Sequence, residues 1–437
     1  MTLSSPLSLP RVALVCALTF AVALLAFRVL SGSVPSAAPP HQDQLVIPRP
    51  GHTSTADQIA TLQAELRDDP GNASALSSLG QAYLQRVREN GDATYYTKAA
   101  EAFDRAQQLA PRSVDPLVGQ AQLALSRHAF RRGLALALAA QRRAPYVVAP
   151  LGLIVDGEIE LGRYGDAGRT LHRFVDTKPT IASYARVSYW RELHGDIPGA
   201  LDAMRRAVSA GGDVPENLAS VQTLLGNLEF SAGHLAAAQR AYRRALTGVP
   251  DYVPASAGLA QVEAARGGLG AAIARLRRGV DRLPLPQYVI QLGETQLAAG
   301  NRSGARASFA LVGAEERLLQ ANGVNTDVDL ALFEAGHGDP AKAVVLARRA
   351  WAEAPSVRSA DAMTWALTRD GQARAALPWA RRALMLGSRD PMFLFHAGMA
   401  ARAAGERGLA RSRLSGALAA NPRFSALYAP QARAALR

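Results

Sequence analysis

The feature that most limits what this chain can fold into is a period of about 34 residues that returns along most of its length. It is clearest over residues 225–250, LGNLEFSAGHLAAAQRAYRRALTGVP, where apolar residues recur at helical spacing on both sides of Gly233. Leu225, Gly226 and Phe230 share one face of a first helix, and Ala238, Tyr242 and Ala245 one face of a second. Pro250 closes the unit, because proline cannot continue a helix. Aligned on Ala238, the column reads Ala99, Gly133, Ala167, Ala200, Ala238, Ala272, Ala305, Ala343, Ala376 and Ala410, at intervals of 34, 34, 33, 38, 34, 33, 38, 33 and 34 residues. Other columns run in phase with it. Seven residues on stand Ala106, Ala140, Phe174, Ala207, Ala245, Gly279, Val312, Ala350, Ala383 and Ala417. Twelve on are Pro111, Pro145, Pro179, Pro250, Pro284, Pro355 and Pro422, and five before are Gly162, Gly195, Gly233, Gly267, Gly300, Gly338, Gly371 and Gly405.

Each column has a physical task. Small residues let paired helices approach closely, where a larger side chain would overpack at about 1–3 kcal/mol. The large residue four further on (Phe103, Leu171, Met204, Tyr242, Leu276, Phe309, Leu414) fills the space between units. Glycine ends the first helix because it accepts a left-handed backbone. No unit can bury its apolar face alone, so stacking must supply the core, with contacts expected between neighbouring repeats only.

In these columns the chain resembles the tetratricopeptide repeat (TPR), whose period it shares. The resemblance implies an all-α, right-handed superhelix of helix-turn-helix units. It covers residues 56–429 as about ten repeats plus an N-terminal half repeat, with residues 430–437 as a C-terminal cap interrupted near Pro430. It weakens where Ala121, Val155, Ser188 and Thr364 stand in the Gly226 column, and where Gly212, Arg317 and Ser388 replace the closing proline. Two long intervals contain SAGGDVPEN and LLQANGVNTD, expected to form distinctive loops, and the first repeat carries an insertion, RVRENGDATYYT, from which Tyr95 and Tyr96 are expected to pack on the next helix.

Ahead of the repeats, residues 12–27 form an uncharged, almost wholly apolar run between Arg11 and Arg28. At ~1.5 Å per residue the run reaches about 24 Å, short of a ~30 Å hydrocarbon core unless Val29 and Leu30 contribute. Residues 1–31 therefore read as a signal anchor or a cleaved signal peptide, and either would export the repeats. Expected location is the extracytoplasmic side of the cytoplasmic membrane, single-pass, or secretion after cleavage. Residues 32–55, rich in Pro, Ser and Gly, read as a flexible tether. Cys16 is the lone cysteine and lies in the apolar run, leaving the repeats without disulfide or thiol chemistry. The net charge of +13 is carried mostly by arginine, with lysine only at 98, 178 and 342. That bias matches a GC-rich bacterial genome, which discounts the charge as a sign of nucleic-acid binding.

Catalytic motifs are missing: there is no HExxH, GxSxG, Walker A or paired-cysteine pattern. GGLGAA, beginning at Gly267, is a turn between helices rather than a strand-to-helix phosphate loop. His194-Gly195-Asp196 and His337-Gly338-Asp339 repeat one tripeptide, and His234 follows Gly233. A metal or proton site competes there with histidine favouring the negative end of a helix dipole, and the second reading needs no ligand pair. Asn325, Asp327 and Asp329 imitate a calcium loop, but Leu330 stands where its glycine belongs, so capping by Thr326 or Asp327 is expected. No cofactor and no metal are expected.

Two surfaces remain as candidates. Arg205, Arg206, Arg243, Arg244, Arg277, Arg278, Arg348, Arg349, Arg381 and Arg382 follow the large-residue position of five second helices, a stripe on the convex face. Such a stripe suits anionic lipid or cell-wall polymer. In TPR proteins the first helices line a concave groove for peptide segments, and one residue past the Gly226 column should face it. That set is Gln81, Gln122, Asp156, Tyr189, Asn227, Gln261, Glu294, Leu332, Trp365 and Met399. The resulting expectation is a non-catalytic protein-interaction scaffold that binds a protein or peptide in the groove. A polyanion binder is the alternative, and an enzyme subunit whose partner supplies the chemistry is a third. Membrane association through the N-terminal segment is expected; nucleic acid and small-molecule substrate are not.

Overall fold

The computed structural model describes residues 54–211 and 215–437; the apolar run, Cys16 and nearly all of the tether lie outside them. The described residues form 22 α-helices and no strand. A leading helix, α1 (Thr55–Asp68), precedes α2 (Ala73–Asn90), α3 (Thr94–Leu109), α4 (Asp115–Ser126), α5 (Phe130–Arg143), α6 (Ala149–Glu160) and α7 (Tyr164–Thr177). Then follow α8 (Ile181–Leu193), α9 (Ile197–Ser209), α10 (Pro215–Ser231), α11 (Leu235–Gly248), α12 (Val253–Ala265), α13 (Leu269–Arg282) and α14 (Pro286–Ala298). The last group is α15 (Arg302–Ala321), α16 (Asp327–His337), α17 (Pro340–Glu353), α18 (Val357–Arg369), α19 (Ala373–Ala383), α20 (Pro391–Ala403), α21 (Arg407–Ala420) and α22 (Tyr428–Ala435). From α2 to α21 they pair as ten helix-turn-helix units, a TPR-like solenoid.

The columns explain the packing. Every member of the Ala238 column is buried, which is what lets paired helices approach. Tyr242 of α11 is fully buried between two first helices. A Cβ at Gly226 of α10 would stand 2.5 Å from its ring, and one at Gly258 of α12 only 2.3 Å. The two glycines thus form a slot one ring thick. The closing prolines stand just past second helices such as α3, α11 and α17.

Irregular stretches were absorbed rather than looped out. The insertion lengthens α2 to 18 residues and starts α3, burying Tyr96 and laying Tyr95 against Tyr83 at 5.6 Å between ring centroids. The first four residues of LLQANGVNTD continue α15 and Asp327 opens α16, leaving residues 322–326 between helices. Pro430 falls in the first turn of α22, where its missing N–H costs nothing, so it opens the cap instead of interrupting it. Thr326 precedes α16 but makes no cap; Asn325 Oδ1 accepts the Asp327 N–H at 2.9 Å instead.

Contacts are not confined to neighbouring repeats, contrary to the expectation for an open solenoid. The superhelix winds tightly enough for one turn to rest on the next. Asn325 donates its N–H to the Arg127 carbonyl at 2.9 Å, and the His128 ring meets the Asn325 carbonyl at 2.6 Å. Tyr164 Oη accepts the Val357 N–H at 2.7 Å across 193 residues, and Asn421 Nδ2 donates to the Phe230 carbonyl at 2.6 Å across 191. These separations correspond to between five and six repeats per turn. Glycine is required at two points of this seam. Gly162 (φ +71°) and Gly195 (φ +74°) are left-handed, and a Cβ at either would lie 2.3 Å from a carbonyl oxygen of the next turn.

Candidate functional site

Winding of the first helices encloses a lumen of about 880 Å³. Its wall comes mainly from α8, α10, α12, α14, α16, α18 and α20, with the C-terminal end of α2 and with Phe424 and Tyr428 from the C-terminal segment. Six of the ten residues expected in the groove line it: Tyr189, Asn227, Gln261, Glu294, Leu332 and Trp365. Gln81, Gln122, Asp156 and Met399 do not.

Asp156 shows why. It is 5 % exposed and faces the adjacent first helix, where Arg186 clamps it with Nε at 2.8 Å and Nη2 at 2.6 Å. Arg186 also donates to the Gly152 and Ala182 carbonyls, so both charges are buried with their hydrogen bonds made. A residue beside a packing column can turn toward a neighbouring helix as readily as toward the axis, and here the ion pair decides.

Several lining residues are also structural. Trp365 is 2 % exposed, stacked on His396 at 4.6 Å with the Arg369 guanidinium 5.3 Å from its ring. Tyr189 is 6 % exposed and packs in the core of α6–α11. Asn227 Oδ1 accepts from Tyr242 Oη at 2.8 Å. Glu294 is engaged by His337 at 2.9 Å and Tyr428 at 3.0 Å, so the C-terminal helix closes part of the wall. Tyr189 and Trp365 are therefore not the unencumbered groove side chains expected, whereas Gln261 is exposed.

Residues outside the expected column supply much of the wall's charge. Glu192 lies three after Tyr189, Asp329 three before Leu332, and Asp361 four before Trp365, all lining the lumen. These spacings share a helix face, so reading the column one helical turn either way would have found them. Arg358 of α18 stands between Glu160 at 3.8 Å and Asp329 at 3.7 Å. Burial opposes its charge, but the two carboxylates hold its pKa above the usual value. His396 Nδ1 lies 2.9 Å from Asp361. Burial, and then Asp390, push the Glu192 carboxyl up to about 8. Burial also raises Asp390, which caps α20 by accepting the N–H groups of Met392 and Phe393.

All ten arginines of the stripe are exposed on second helices, and none lines the lumen. Arg205 pairs with Glu229, Arg206 with Asp202 and Arg349 with Asp327, while Arg382 lies over Trp379 at 4.8 Å. The histidines have local partners: His194 stacks on Trp190 at 3.9 Å, and His234 contacts Glu229 at 2.7 Å. Among the described residues no group of three His, Cys, Asp or Glu side chains could hold a metal ion, and none of the described helices is long and apolar enough to cross a membrane.

No family model matches the chain, and no curated protein matches it in sequence. Solved structures similar to it include the APC/C hetero-tetramer Cut9–Hcn1, at 14 % identity over 88 % of this chain and 93 % of that one, with a TM-score of 0.33. Another is the human IFIT1 dimer with PPP-AAAA, at 15 % identity over 84 % and 90 %, with a TM-score of 0.45. Neither likeness bears on what this chain binds.

Proposed function

We propose that the chain is a non-catalytic protein-interaction scaffold that takes a short extended segment of a partner protein into its lumen. The observation carrying this reading is the convergence of first-helix residues from consecutive repeats on one cavity of about 880 Å³. That volume limits the occupant. A helix is ~10–12 Å across with side chains, so about two helical turns would fill the space. Amides such as Gln261 can donate to and accept from an extended backbone at once.

The test replaces exposed or half-buried wall residues and spares the structural ones. Gln261→Ala with Gln287→Ala is expected to lower partner capture from a membrane extract about tenfold, equivalent to ~1.4 kcal/mol, with the melting temperature retained. The matching control changes Arg243, Arg244, Arg277 and Arg278 to Gln on the outer wall. Capture lost in the control and kept in the lumen variant would reject this reading.

A second reading rests on the stripe. Arg243, Arg244, Arg277, Arg278, Arg348 and Arg381 have no partner at ion-pair or hydrogen-bond distance among the described residues, which suits an anionic lipid or cell-wall polymer. Binding of that kind would collapse between low and physiological salt, because the Debye length falls to about 8 Å.

Location completes the proposal: residues 12–27 tether the solenoid to the outer side of the cytoplasmic membrane. The protein is then expected in the membrane fraction after a high-salt wash, with peptides from before Ser31 recovered. A soluble form beginning near Ala38 would make it a secreted protein instead.

A further inference from the structure

The wall of the lumen is opposite in sign to the chain as a whole. Nine carboxylates and three guanidiniums line it, a formal excess of six negative charges in a protein of net +13. Internal partners answer five of the nine: Glu89 has Arg86, Asp251 has Arg282, Asp329 has Arg358, and Glu294 and Asp361 have His337 and His396. Glu192, Glu216, Glu316 and Asp390 have no cation at ion-pair distance among the described residues. Of these, Glu192 and Asp390 act on one another in the lumen wall, Glu192 acts on Tyr189, and Phe393 packs against the cluster that holds Tyr189.

We propose that the lumen selects a cationic segment, an extended stretch whose arginine or lysine side chains enter the chamber walled by Glu192, Asp390, Tyr189 and Phe393. This rests on the lumen being the binding site and adds the chemistry of its occupant. Outer arginines do not defeat it. Their charged heads stand in solvent on the far side of a wall about one helix, ~10 Å, thick, where water and salt screen them. Carboxylates in direct contact with an entering cation therefore dominate. The half-buried Phe393 ring adds attraction for a guanidinium or ammonium. The protein already uses that contact within the same wall, where Arg369 lies over Trp365 at 5.3 Å. An acidic segment would leave Glu192 protonated and meet like charge at Asp390, while the guanidinium nearest the chamber, Arg358, is already held by Glu160 and Asp329.

Binding should carry a proton signal. The groups acting on Glu192 are Asp390 from the α20 cap and Tyr189 from its own helix, and burial keeps Tyr189 neutral. With its carboxyl held at about 8, Glu192 is largely protonated in the empty lumen near neutral pH. A cation favours the ionised form, so binding there releases a proton. Affinity rises with pH until that carboxyl is ionised, and levels off above about 8.

Isothermal titration of the full chain with three synthetic peptides tests this: an arginine-rich one, its neutral citrulline counterpart, and a glutamate counterpart. Titrations run in two buffers of different ionisation enthalpy. The arginine peptide is expected to bind about tenfold or more tightly than either of the others, with an apparent enthalpy that changes with buffer. Glu192→Gln keeps the shape and should fold. It is expected to weaken the arginine peptide about tenfold and to abolish the buffer dependence. Gln261→Trp, which obstructs the lumen, should lose all binding. If the citrulline or glutamate peptide binds as tightly, and Gln261→Trp blocks it, the lumen is the site but cation selection is wrong. If the arginine peptide binds regardless of Gln261→Trp and Glu192→Gln, both the selection and the lumen reading fail. If no peptide binds, the selection fails.

Discussion

Tyr242 shows how much one side chain can decide. Its ring fills the slot between Gly226 and Gly258, so Gly258→Ala would place a methyl group inside occupied space. Overpacking of this kind costs about 1–3 kcal/mol, and a lower melting temperature should follow. Gly270, in α13, has no atom within 4 Å of an added Cβ, and Gly270→Ala should instead stabilise by roughly 0.5–1 kcal/mol through backbone entropy. Opposite signs from one chemical change would separate close approach from conformational freedom. Glu315 offers a test by pH. Burial pushes its carboxyl up to about 8, and Oε2 has no partner. Between the ordinary 4.5 of the unfolded chain and about 8, the folded protein holds a proton the unfolded chain has lost, so stability falls as pH rises across that window. Glu315→Gln should match wild type near the acid end and exceed it above about 8. The gain should be on the order of 1 kcal/mol, since the half-buried side chain is partly screened. Equal pH dependence in both proteins would contradict this.

The seam between superhelical turns sets the behaviour of the helices it joins. Tyr164→Phe removes the acceptor for the Val357 N–H. A stranded buried donor costs about 1–3 kcal/mol. Amide exchange should therefore rise at the start of α18, far along the chain, as well as around α7. Exchange confined to α7 would mean that the turns do not rest on one another. Tyr242→Ala changes its reading for the same reason. A strictly nearest-neighbour solenoid would leave Pro422 undisturbed, but Asn421 holds the carbonyl of Phe230 in the repeat of Tyr242. Loosening that repeat should expose residues near 421 too.

At the scale of the molecule, the closed turn creates the lumen and the separation of charge across its wall. Opening the seam should therefore alter both shape and binding. Gly162→Ala with Gly195→Ala combines strained left-handed backbone with clashes against the next turn. Small-angle scattering should report a longer particle, with weaker capture of a lumen occupant. An unchanged scattering profile with weaker capture would place the effect elsewhere.

Repeat, helix pairing and packing columns were legible in the sequence, because each depends on residues no more than one period apart. Small residues must meet where paired helices touch, and glycine or proline must end a helix wherever it ends. Six lumen-lining residues were legible for the same reason, since helical spacing places them on one face. Curvature was not. It accumulates from small rotations between repeats, and only at between five and six repeats per turn do the glycine turns reach the far loops. Asp156 turned away from the axis because Arg186, thirty residues on, offered a buried bidentate partner. Trp365, Glu294 and Tyr428 met because the last helix folded back into the wall. The acidic lumen inside a basic protein belongs to this second class. Its charges are scattered from Glu89 to Asp390, and no property of the linear order brings them together.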